Sequence, residues 1–178
     1  MKTTKKIPVS AMAVALGTVF MVLGAVIEVF DMTAAALASL LVAVIYVEVG
    51  APYTFLVWIC TTLTTALLYP GSAMWLMYLL LFGIFPIMKG YFERLPRPLW
   101  LPLKLVFGNV MMALVLLGTV YLLGIPMDLE LFGLPTTAVY IILFVAVNLA
   151  IILYDWFLTV LVRFYMIKLH PVLRKLLR

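Results

Sequence analysis

Long apolar runs separated by short polar breaks dominate the chain. Six runs stand out, over about residues 8–29, 33–49, 52–69, 72–88, 102–123 and 136–166. A helix rising 1.5 Å per residue needs about 20 apolar residues to cross the hydrocarbon of a bilayer. Each run therefore predicts a transmembrane helix, and the whole predicts an all-α membrane protein with six spans in one domain, 1–178. The breaks carry charge or turn chemistry: Glu28 to Asp31, Gly50-Ala-Pro52, Tyr69-Pro-Gly-Ser72, Glu93 to Pro98, and Gly124 to Pro135. The second to fourth runs are short, so a five-span chain that fuses the second and third is the competing count. The sixth run is long, roughly 46 Å at helical rise, and must tilt or project beyond the hydrocarbon. From Arg163 onwards basic and apolar residues alternate, interrupted by Pro171. Residues 167–178 accordingly predict a basic tail lying at the headgroups. A cleaved signal peptide is not expected, because the first run is long and leads into acidic residues rather than a small-residue cleavage site.

Composition removes the soluble alternatives. Hydrophobic residues make up 67% of the 178 and charged ones 11%, against about half and a quarter in a soluble domain. So few polar groups cannot cover a water-facing surface, and the composition excludes a soluble globular protein, a disordered chain and a secreted disulfide scaffold. The lone Cys60 reads as a small core hydrophobe, and the lone His170 as a solvated or headgroup-level side chain.

Net charge is +5. Its placement points to a membrane rather than to nucleic acid. With the N-terminus inside, Lys2, Lys5, Lys6, Lys89, Arg94, Arg97, Lys104, Arg163, Lys168, Arg174, Lys175 and Arg178 all fall on the cytoplasmic side. They are the full complement of 12 basic residues. The external links hold Glu28, Asp31, Asp128 and Glu130 instead. This positive-inside bias predicts an even number of spans and cytoplasmic termini in the cell membrane.

Small residues at spacing four recur on the first helix, as Ala11 with Ala15 and Ala13 with Gly17. The second carries Ala34, Ala35, Ala36 and Ala38. Such stripes let another helix approach closely, either inside the monomer or on a partner. The third helix holds Thr61, Thr62, Thr64 and Thr65 and ends at Tyr69. Threonines can satisfy themselves on their own helix carbonyls. The other reading is a polar wall in the outer half, where Thr61, Thr65, Tyr69, Trp75 and Tyr78 would line a small-molecule site.

Asp155 lies inside the sixth run, two turns after Asn148. A bare carboxylate in hydrocarbon costs several kcal/mol and must find a partner, water or a proton. Lys89 and Lys104 are the cations at its depth, with Asn109 slightly deeper, so a polar cluster of Lys89, Lys104, Asn109, Asn148 and Asp155 is expected. It would either fasten helices or couple transport. Lys89 and Glu93 also form an i, i+4 pair. No metal-ligand spacing, nucleophile with a positioned base or phosphate loop is present, so neither an enzyme nor a cofactor is expected.

A six-helix chain of this length with Ala11-Met-Ala-Val-Ala15 on helix one resembles the substrate-binding S-components of energy-coupling-factor transporters. In that family an Ala-x-x-x-Ala motif docks a transmembrane coupling subunit. The resemblance implies capture of a vitamin-like small molecule from outside and toppling driven by that subunit and two cytoplasmic ATPases. The chain departs from the family in its short first external link, Glu28 to Asp31; the segment Gly124 to Pro135 would serve as a lid instead. The alternative is a non-transporting membrane scaffold of the MreD-like kind, acting through helix–helix contacts. A sealed outward cavity lined by Thr61, Thr65, Trp75 and Tyr78 would favour capture; a collapsed apolar core with one exposed small-residue face would favour a scaffold.

Overall fold

The computed structural model describes residues 3–124 and 136–169. Asp128 and Glu130, the lid expected over residues 125–135, and His170 with the rest of the tail lie outside the described residues. All regular structure among the described residues is helical. Helix α1 spans Thr3–Val26, and a 3₁₀ turn at Glu28–Phe30 leads into α2, Asp31–Glu48. Helix α3 spans Ala51–Leu68 and α4 Met74–Phe92. A 3₁₀ turn at Arg97–Leu99 opens α5, Trp100–Tyr121; α6 runs Thr136–Phe164 and continues as a π-helix over Tyr165–Leu169. Six helices are thus long and apolar enough to cross a membrane.

The count is six rather than five because of Gly50. It stands at φ +102°, ψ 167°, a conformation essentially closed to residues with a Cβ. Pro52 follows in the first turn of α3, where its missing N–H costs nothing. Together they reverse the chain between α2 and α3.

In lipid there is no hydrophobic force pulling helices together, so close fit must do it. Helices α1, α2 and α3 pack as a tight trio. Ala13, Met21 and Ala25 of α1 meet Ala34, Ala35, Ala38 and Val42 of α2 in the main core, which continues into Val57, Tyr78 and Phe82. At Gly24 a Cβ would stand 2.6 Å from the Ala34 Cβ, so only glycine permits this approach. Helix α4 lies behind the trio, flanked by α5 and α6. Phe85, Ile151 and Leu158 form a smaller core there. Much of α6 is exposed, with Tyr140, Ile142, Phe144 and Val145 pointing away from the bundle, as suits a helix whose solvent is hydrocarbon.

Helix α4 changes register midway. Between Met74–Met77 and Phe85–Phe92 it is π-helical over Tyr78–Phe82. The Gly83 N–H bonds the Tyr78 carbonyl at 2.7 Å, which leaves the Leu79 carbonyl without its usual partner. The Trp58 indole N–H supplies one at 3.1 Å. Pro86 has no N–H for the Phe82 carbonyl, which accepts from the Tyr154 hydroxyl at 3.1 Å instead. The same hydroxyl lies 2.5 Å from Ser39 Oγ. Donors from α3 and α6 thereby satisfy the Leu79 and Phe82 carbonyls from both sides of the break.

Candidate functional site

Three groups of residues carry polar or small-residue chemistry. The first lies where α4, α5 and α6 converge. Lys89 Nζ donates to Asp155 Oδ1, to the Asp155 carbonyl at 3.1 Å and to Thr159 Oγ1 at 2.7 Å, and lies 3.1 Å from Glu93 Oε1. Lys104 Nζ lies 2.8 Å from Glu93 Oε1 and 2.8 and 2.9 Å from the two Asp155 oxygens. Both lysines are buried. Two cations and two carboxylates cancel, and every ammonium faces several acceptors. Such an arrangement fastens three helices and leaves no unpaired charge to desolvate.

Asn109 and Asn148 do not join this group. They bond each other at 2.9 and 3.3 Å, and each also donates to the carbonyl four residues back, Leu105 and Phe144, at 2.8 Å. The expected single cluster is therefore two layers. Asn148 precedes Asp155 by seven residues, roughly 10 Å of helix. Two members escaped the sequence reading. Glu93 shows there only as the i, i+4 partner of Lys89, yet it also holds Lys104. Thr159 lies one turn after Asp155, a spacing that marks it only once Asp155 has been placed.

The second group is the hydroxyls expected in the outer half. Thr61, Thr65 and Tyr78 are essentially fully buried between helices, while Tyr69 is exposed and the Trp75 indole donates to the Pro70 carbonyl at 3.2 Å in the link. Thr62, Thr64 and Thr65 bond their own helix carbonyls, those of Trp58, Cys60 and Thr61, at 2.8–2.9 Å. The five residues expected to line one cavity are thus split between a packed interior and the bundle end. Within the packed part, the hydroxyls of Thr61 and Tyr78 lie at the margin of a hydrogen bond with each other and have no further polar partner among the described residues.

The third group is a groove of about 570 Å³ between α1 and α3, lined by Ser10, Ala11, Ala15, Thr18, Cys60 and Thr64 among others. The two small-residue stripes of α1 have opposite fates. Ala13 and Gly17 are buried inside the monomer, as are Ala34, Ala35 and Ala38 of α2, whereas Ala11 and Ala15 are exposed on the groove. Ser10 lines the same groove with its hydroxyl buried and unpartnered. Towards the Leu68 end of the groove Thr18 and Thr64 join α1 to α3 at 2.7 Å. Cys60, expected in the core, is exposed here, because its face of α3 lines the open groove beside α1 rather than the packed core.

Cavities of about 290 Å³ lie beside Lys89 and between α4, α5 and α6 around Met77, Phe82 and Met112. Neither these nor the groove is lined by Thr61, Thr65, Tyr69, Trp75 or Tyr78. Among the described residues no group of His, Cys, Asp and Glu is placed to hold a metal ion. No family model, curated protein or solved structure matches the chain.

Proposed function

We propose that the chain is a membrane-embedded docking subunit that receives one transmembrane helix of a second membrane protein in the α1–α3 groove. One observation carries this reading. Of the small-residue stripes, the Ala11–Ala15 pair alone faces outward, in a groove whose floor also holds the unpartnered Ser10 hydroxyl. The lining runs from Ile7 to Thr18 on α1 and from Tyr53 to Leu68 on α3, roughly 16–22 Å at helical rise. That length accommodates several turns of a helix packed on alanine, and Ser10 would accept or donate one bond across the interface. Both termini lie in the cytoplasm in this reading, following the basic residues.

A scaffold needs no more than this. The exposed Ala11–Ala15 pair would equally serve the uptake-subunit form, in which the docked helix belongs to a coupling subunit with ATPases and a vitamin-like molecule binds in the outer half. In that form Thr61 and Tyr78 are the polar groups nearest to hand, their hydroxyls side by side between packed helices. A ligand that reached both would have to part α3 from α4, because none of the three cavities extends to them. No chemical transformation is part of either form.

Co-purification from native membranes tests the docking step. The double substitution Ala11→Leu, Ala15→Leu fills the groove at exposed positions. It should leave thermal stability unchanged while reducing recovery of the membrane partner at least about tenfold, a loss of some 1.4 kcal/mol. Undiminished recovery would remove the groove as the docking face. Native mass spectrometry of the same preparations separates the two forms: a small molecule retained by the wild type and lost in Thr61→Val assigns uptake, and none retained leaves the scaffold.

A further inference from the structure

Beside the charged cluster, a pocket of about 290 Å³ opens between α2, α4 and α6. Its walls are largely apolar, formed by Ala43, Val47, Pro86, Leu158 and Val162. Its polar members are already neutralised: Lys89 is held by Asp155, Thr159 and Glu93, and the Glu93 carboxylate by both lysines. Two cations at the rim are different. Arg163 lines the pocket and is exposed. The Arg94 guanidinium donates to the hydroxyl of Tyr46, itself a wall residue, at 3.2 Å and stands 5.2 Å from the Tyr91 ring centre. Neither arginine pairs with a carboxylate among the described residues.

We infer that this pocket binds one anionic phospholipid, its phosphate held by Arg94 and Arg163 and an acyl chain lying against Val47, Leu158 and Val162. Depth supports a lipid. Arg94 stands two residues beyond the end of α4, and Arg163 is five residues before the last described spanning residue, Lys168. Both positions belong to the headgroup layer, where guanidiniums bind phosphate through paired N–H donors. A soluble phosphate would meet the arginines but gain nothing from the apolar wall. A zwitterionic choline headgroup would bring its own cation against them. An anionic lipid satisfies the rim and the wall together.

The full-length protein in mixed nanodiscs of phosphatidylglycerol and phosphatidylcholine, read by native mass spectrometry, tests this. One phosphatidylglycerol should stay bound after the bulk lipid is stripped. Arg94→Gln with Arg163→Gln should weaken its retention roughly tenfold or more, at about 1 kcal/mol per basic residue. Val162→Trp, which fills the wall and keeps the charges, should also release it. Arg97→Gln, at an exposed basic position that is not part of the pocket lining, should not. Equal retention of both lipids, equal loss in Arg97→Gln, or displacement by millimolar inorganic phosphate would each overturn the assignment. The α1–α3 groove takes no part in these measurements.

Discussion

Asp155 stands between two buried ammonium groups, and its carboxylate is what makes their burial tolerable. Glu93 already serves Lys89 and Lys104 through a single oxygen; with Asp155 gone it would have to balance both. Breaking one member out of a buried ionic group costs roughly 3–5 kcal/mol, more than the intact group contributes over an apolar replacement. Asp155→Ala should therefore unfold at a clearly lower temperature, with a loss of about 3 kcal/mol in a thermal or denaturant assay. Adding Lys104→Met should recover part of that loss, since Glu93 and Lys89 then balance. Unchanged stability in Asp155→Ala together with lost uptake would instead give the carboxylate a coupling role. The pairing of Asp155 with Lys89 or Lys104 is legible in the sequence because a carboxylate in hydrocarbon has few possible partners and only these cations share its depth. Glu93 bridging the two lysines is not legible: its exposure and helix end suggest a local pair, and the link that folds it back onto α5 has no sequence signature. The hydroxyls of Thr61 and Tyr78 are legible by depth but not by direction.

Direction fails at the scale of the element, for a physical reason. A helix of a soluble protein announces its inner face by polarity, but a helix apolar all round carries almost no signal of its rotation about its own axis. Element number and length follow from charge, proline and glycine, and α2 and α3 begin and end within two residues of their expected bounds. What a position faces does not follow, which is why Ala11 and Ala13, two residues apart, part company between groove and core, and Cys60 turns outward. The π-helical stretch of α4 is hidden for a related reason. Pro86 signals a local break, but the register change depends on Trp58 and Tyr154, which arrive from other helices. Gly83 is the position that ties them together. A Cβ there would stand 2.4 Å from Trp58 Cδ1 and 2.9 Å from the Tyr78 carbonyl oxygen. The second contact is backbone and cannot swing aside. Gly83→Ala should destabilise by roughly 1–3 kcal/mol, the usual range for overpacking, and should quench or shift the fluorescence of Trp58 when the other three tryptophans are replaced. Native stability and an unchanged spectrum would mean that the indole does not lie on this turn.

At the scale of the whole bundle, the basic side chains of the described residues gather at one end. Lys6 lies 5.6 Å from the Tyr53 ring at the start of α3, Arg94 meets Tyr46 near the end of α2, and Tyr165, late in α6, donates to Glu48 at 2.7 Å. With the Lys89–Lys104 cluster these contacts gather the cytoplasmic ends expected from the sequence onto one face of the bundle. The opposite face carries the links around Asp31 and Gly71. A bundle this asymmetric has one favoured orientation, because moving basic flanks across the membrane is opposed during insertion while acidic ones weigh little. The α1–α3 groove inherits that polarity, since its Ile7 and Tyr53 end lies with the cations and its Leu68 end with Gly71. Orientation can be read with single cysteines in a Cys60→Ala background; Cys60 is exposed on the groove, so its removal leaves the core intact. Gly71→Cys occupies open space and should react with a membrane-impermeant maleimide on intact cells. Arg97→Cys, exposed at the other end, should react only after permeabilisation. Labelling of Arg97→Cys from outside would invert the bundle. The Arg94–Arg163 rim would then face the outer leaflet, and the Thr61–Tyr78 hydroxyls would lie in the inner half, where a molecule captured from outside could not reach them first.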